Sequence, residues 1–88
     1  MLNFKEYEQI IKECKNLAIF KNKYYGNESL KLFDGLAIIT RLNDKINRIN
    51  NLIKLKKNKK LDETIEDNLK DLINYSIYYI MLKRGRLE

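Results

Sequence analysis

Arg41, Asp44, Lys45 and Arg48 are spaced three, four and seven residues apart, so on a helix they share one stripe. An arginine guanidinium offers a planar fork that matches phosphate oxygens, and a lysine adds a point charge. Arg41, Lys45 and Arg48 together could therefore clamp a phosphate. The same stripe also reads as a solvated face in which Asp44 precedes Arg48 by four residues. That is the favourable order for a surface ion pair worth about 0.3–0.5 kcal/mol, and spacing alone favours it.

A second set of polar residues, Glu63, Asp67 and Asp71, recurs at four-residue steps. Carboxylates stacked on one helical face repel unless cations meet them. The cations could be Arg41, Lys45 and Arg48 on a neighbouring helix, or a hard metal such as Mg2+ held by oxygen ligands. Spacing alone favours dipole-complementing acids with cross-helix salt bridges.

The remaining chemistry is restricted by what the chain lacks. With no His, neither imidazole acid–base catalysis nor imidazole metal ligation is available. Cys14 is the single cysteine and excludes an internal disulfide, which fits a reducing compartment. It lies on the apolar stripe Tyr7, Ile10, Ile11, Cys14, Leu17 and Ala18, so it reads as a small core residue rather than a reactive thiol. The amino-terminal residues carry early acids, unlike a signal peptide, and no stretch reaches the length of an apolar membrane span. The reading is cytoplasmic, with no membrane partner.

Three helices must position these residues, in one all-α domain over residues 1–88. The first is expected over about Phe4 to Phe20, followed by a loop Lys21–Asn27 with its turn at Gly26-Asn27. Leu30 to Phe33 suits a short helical turn that Asp34-Gly35 interrupts, with Asp34 as the cap of the second long helix. That helix spans about Leu36 to Lys56, with Ile38, Ile39, Leu42, Ile46, Ile49 and Ile53 facing inward. The lysine-rich run from Lys54 to Lys60 reads as a solvated connection. Asp62 then caps a third helix whose inner face is Ile65, Leu69, Leu72, Ile73, Ile77 and Ile80, and which stops near Gly85. Helices two and three form a long antiparallel hairpin covered by helix one. Three helices in 88 residues make a thin core, and Tyr75, Tyr78 and Tyr79 add aromatic area on more than one side of the last helix. A homo-oligomer that completes a bundle is the expectation.

The formal charge of +6 is unevenly placed. Residues 1–34 carry about +1, residues 35–60 about +7 and residues 61–88 about −2. The middle helix and its connection hold the positive field, partly met by the acids of helix three. The lysine run lacks aromatic interleaving, so it supports at most non-specific binding of nucleic acid.

Several segments carry a resemblance that covers about residues 20–82. They are Phe20-Lys21-Asn22, Tyr25-Gly26-Asn27, Arg41-Leu42-x-Asp44-Lys45-x-x-Arg48, and Asp62-Glu63-x-x-x-Asp67-x-x-x-Asp71-Leu72-x-Asn74-Tyr75. In this order and at these gaps the chain resembles the phage and prophage family called nucleotide modification associated domain 1. The resemblance implies an all-helical domain, distantly similar to MazG-like and dimeric dUTPase-like nucleotide pyrophosphatases, that binds or acts on nucleotides. Two departures stand out. Tyr24 occupies a position where the family usually has an acid. Helix two offers only Asp44 where MazG-like enzymes carry an E-x-x-E pair, so a full magnesium cage is not visible within one chain.

Three functions are expected from these readings. The first is a small phage-type protein that binds or sequesters a nucleotide, or a cyclic or modified signalling nucleotide of host defence, without hydrolysis. Its site would place Arg41, Lys45 and Arg48 on phosphate and Lys21, Asn22 and Tyr25 near base or sugar, with Asn74 and Tyr75 from the family-like segment alongside. The second is a Mg2+-dependent nucleotide pyrophosphohydrolase using Asp44, Glu63, Asp67 and Asp71 as metal ligands. The third is a non-specific nucleic-acid binder using the lysine run.

Overall fold

A computed structural model describes the backbone of residues 1–55 and 59–87, and the side chains of residues 1–55 and 65–87. Helix α1 spans Phe4–Tyr25. It starts where the Asn3 side chain accepts the Glu6 backbone N–H at 3.1 Å, one of the donors a helix start leaves without an internal partner. The expected end at Phe20 is too early. Lys21 to Tyr25 contain no residue that breaks a helix, and the chain leaves helical geometry at Gly26, whose φ of +67° suits glycine and whose N–H reaches the Asn22 carbonyl. Lys21 and Asn22 are therefore helical rather than in a loop, and Tyr25 closes the helix.

One turn of helix, α2 (Glu28–Lys31), leads into a 3-10 turn at Leu32–Gly35. Phe33, Asp34 and Gly35 are consecutive left-handed residues, with φ of +56°, +54° and +90°. The Asp34 carboxylate, expected as a helix cap, instead meets Lys83 at 3.0 Å, and Lys83 also donates to the Asp34 carbonyl.

Helix α3 spans Leu36–Leu55 and α4 spans Lys59–Lys83. Asp62 is thus inside α4 rather than its cap. The connection expected over Lys54 to Lys60 is shorter than that, since Lys54 and Leu55 belong to α3 and Lys59 and Lys60 to α4. The remaining residues of the lysine run considered for nucleic acid, 56–58, lie outside the described residues. Helix α4 ends with the Gly85 N–H on the Leu82 carbonyl and the Arg86 N–H on the Met81 carbonyl, the paired closure that a left-handed glycine permits. Cross-helix partners show that α3 and α4 run antiparallel. Arg41 meets Tyr75 and Lys45 meets Asp71, so four residues forward on one helix match four back on the other. Helix α1 packs across α4.

Where α4 meets its neighbours, the expected faces are exchanged. Asn68, Asp71 and Asn74 are 4–8% exposed, whereas Leu69, Ile73, Ile77 and Ile80, expected in the core, are 39–49% exposed. Period alone locates a stripe but not the side that is covered. Buried polar groups are tolerated here because they find partners, as when the Asn74 amide donates to the Cys14 carbonyl at 3.0 Å. Among the described apolar residues only Cys14, Leu30 and Ile38 are buried, and Ile46 and Ile53 of α3, also expected to face inward, are exposed. The radius of gyration is 14.3 Å, against about 12 Å for a packed chain of this length. No helix among the described residues is long and apolar enough to cross a membrane.

Candidate functional site

Asp71 sits where all three long helices meet. Its Oδ1 accepts from Lys21 of α1 at 2.9 Å, and its Oδ2 pairs with Lys45 of α3 at 3.0 Å. Burial works to raise the Asp71 pKa, but the hydrogen bonds and charges of the two lysines outweigh it and hold the carboxyl below its ordinary value. For Lys21, burial works to lower the pKa, and Asp71 outweighs it and raises the value. Both lysines stay partly open to water, with side chains 40% and 25% exposed.

One turn from this knot, the Arg41 guanidinium donates to the Tyr75 hydroxyl at 3.4 Å and stands 5.8 Å from the ring centroid. Tyr75 in turn meets Tyr78 edge to face at 5.9 Å. Sequence reasoning does not single out Tyr78 as a site residue. Burial raises its pKa, the Lys21 charge opposing, and its spacing of three and seven from Tyr75 and Asp71 is the available signal.

Arg41, Asp44, Lys45 and Arg48 line one shallow open depression on α3. The ion pair expected between Asp44 and Arg48 does not form. Arg41 and Arg48 are both exposed, so their forks can reach an anion from solvent. Within the depression itself three cations, Arg41, Lys45 and Arg48, stand with one acid, Asp44.

The other candidates are placed less centrally. Asn22 and Tyr25 are exposed on the last turn of α1, beyond Lys21. The Asn74 amide points to Cys14, on the buried side, and is engaged there. Burial raises the Cys14 thiol pKa, in keeping with a packing role.

Among the described residues the carboxylates do not gather into a group that could share a metal ion. Both Asp71 oxygens are taken by lysines, and no three of the described acids and thiols converge. Asp44 is an exposed residue of α3 and Asp67 an exposed residue of α4, and the Glu63 side chain lies outside the described residues.

Among known proteins, the model of one family, nucleotide modification associated domain 1, matches residues 21–82. The match begins at Lys21 and takes in the depression, the Asp71 knot and Tyr75. No curated protein and no solved structure matches the chain.

Proposed function

Because this match spans most of its length, the chain belongs to the nucleotide modification associated domain 1 family, and from that membership we propose that it binds a nucleotide through its phosphates without hydrolysing it. The observation that carries this reading is the depression lined by Arg41, Lys45 and Arg48, whose arginines are not consumed by Asp44. Phosphate oxygens take the guanidinium forks of Arg41 and Arg48, and the Lys45 ammonium lies between them. Arg41 is steadied by the Tyr75 hydroxyl. Asn22 and Tyr25, exposed beyond Lys21, serve base or sugar, where an aromatic face suits stacking.

Binding rather than hydrolysis is favoured because water activation needs a metal or a base at the phosphate. Asp71 is neutralised by two lysines, and Asp44 is the single carboxylate lining the depression, fewer than the several oxygen ligands that hold a magnesium ion. A protein that holds a nucleotide intact suits sequestration of a modified or cyclic signalling nucleotide in a phage-infected cell, where the chain would act in the host cytoplasm.

The test is a thermal-shift screen of the full chain against nucleoside triphosphates, modified nucleotides and cyclic dinucleotides, with and without Mg2+, followed by chromatography of the recovered ligand. The expected result is a shift that persists without Mg2+, with the ligand recovered intact, and that weakens about tenfold in affinity in Arg48→Ala, as for loss of one charge-assisted contact. Absence of a shift with every nucleotide overturns the reading. Mg2+-dependent turnover lost in Asp67→Ala replaces binding with catalysis.

A further inference from the structure

The outward stripe of α4 has a chemistry that identifies its occupant. Leu69, Ile73 and Ile77 line a groove against Ile10 of α1, with Glu66 and Lys70 at its edge, and Ile80 continues the same face. A continuous apolar stripe along about three helical turns is what a helix presents to another helix. Few apolar side chains are buried within one chain, and this face is a contiguous exposed apolar surface on which a further core could form.

Charge along α4 selects the partner and its direction. Glu66, which also meets Lys70 at 3.3 Å, stands at one end of the stripe, and Arg84 follows its other end, where Lys83 is held by Asp34. We propose that the stripe pairs with the same stripe of a second copy of this chain, the two α4 helices antiparallel about a two-fold axis between Ile73 and Ile77. That arrangement sets Ile73 against Ile77 of the second copy and brings Glu66 opposite its Arg84. A parallel pairing sets acids against acids and bases against bases, which costs stability. The interface is isologous, so each contact occurs twice. The Arg41 to Arg48 depression belongs to α3, and this inference is independent of the nucleotide reading.

The experiment is sedimentation or light scattering of the full chain at micromolar concentrations, with the native sequence and with Ile73→Glu combined with Ile77→Glu. The native chain is expected at twice its monomer mass and the double variant at monomer mass, with helical circular dichroism retained because both positions are exposed. A native monomer, or a dimer that survives the double substitution, overturns the proposal. Direction is read by mixing Leu69→Cys and Ile80→Cys chains under mild oxidation. A cross-link between the two variants is expected. Leu69→Cys chains linking to each other instead mark a parallel pair and overturn the antiparallel assignment.

Discussion

Lys21 and Asp71, fifty residues apart in sequence, are joined at 2.9 Å, and this bond ties the end of α1 to the middle of α4. With Lys45 on the other carboxylate oxygen, the pair is the point at which all three long helices meet. The connection makes the stability of the fold and the charge of the candidate site depend on the same groups.

Stability should therefore fall on acidification. The Asp71 pKa in the folded chain lies below its unfolded value, so its contribution is present above about 3.9 and is lost as pH falls through the folded pKa. Lys21 behaves oppositely. Its folded pKa is raised, so its contribution is complete below about 10.4 and is lost as pH rises through the folded value. Urea unfolding as a function of pH should show both limbs in the native chain. In Asp71→Asn the acid limb should flatten, with a loss of about 2 kcal/mol at neutral pH. That is less than for a fully buried pair, because water reaches both lysines. An unchanged acid limb would place the titrating group elsewhere.

Asn74→Ala should cost stability and leave nucleotide affinity unchanged. Its amide donates to the Cys14 carbonyl in a buried setting, and removing a buried hydrogen bond costs about 1–2 kcal/mol. A urea midpoint lowered with an unaltered ligand titration is the expected pair of results. Lost affinity with retained stability would return Asn74 to the binding site.

Asn74 also shows what was legible in the sequence and what was not. Helix type, the α3–α4 hairpin and the Arg41–Arg48 stripe come from a 3.6-residue period and family-like spacing. The covered side of α4 does not, because the apolar period points to Leu69, Ile73 and Ile77 as the inner face, although the cross-helix salt bridge expected of Asp71 does form with Lys45. For Asp71 and Asn74 the partners that permit burial are the ammonium groups of Lys21 and Lys45 and the carbonyl of Cys14, all from segments distant in sequence. Lys21 stands in a family-like segment and so draws attention from sequence alone. Its bond to Asp71 is hidden there, because α1 continues past Phe20 as far as Gly26.

The turn before α3 should be unusually sensitive to one methyl group. At Gly35, φ is +90°, and an added Cβ would stand 2.8 Å from Leu82 Cδ2 and 3.1 Å from a Tyr79 ring carbon. Gly85 has a φ of +68° but nothing within 4 Å. Gly85→Ala therefore incurs backbone strain alone, about 1 kcal/mol, whereas Gly35→Ala adds crowding, for a total of about 2–3 kcal/mol. Thermal unfolding of the two variants should rank them in that order, and equal losses would mean that Leu82 and Tyr79 move aside freely.

Asp71→Asn has a further consequence that separates counter-ion from metal ligand. In the native chain the carboxylate competes with any anion for Lys21 and Lys45. Its removal frees two positive charges beside the depression on α3, where Lys45 is itself a lining residue. Affinity for a nucleotide should rise several-fold, as for about 1 kcal/mol of added attraction at partly exposed sites. Salt dependence should steepen, because more protein cations then meet the phosphates. A carboxylate that holds Mg2+ for the ligand predicts the reverse, loss of Mg2+-dependent binding in the same variant. Titrating one nucleotide into native and Asp71→Asn chains, with Mg2+ and with a chelator, distinguishes the two by the sign of the change. A fall in affinity confined to the Mg2+ arm would remove Asp71 from the role of counter-ion.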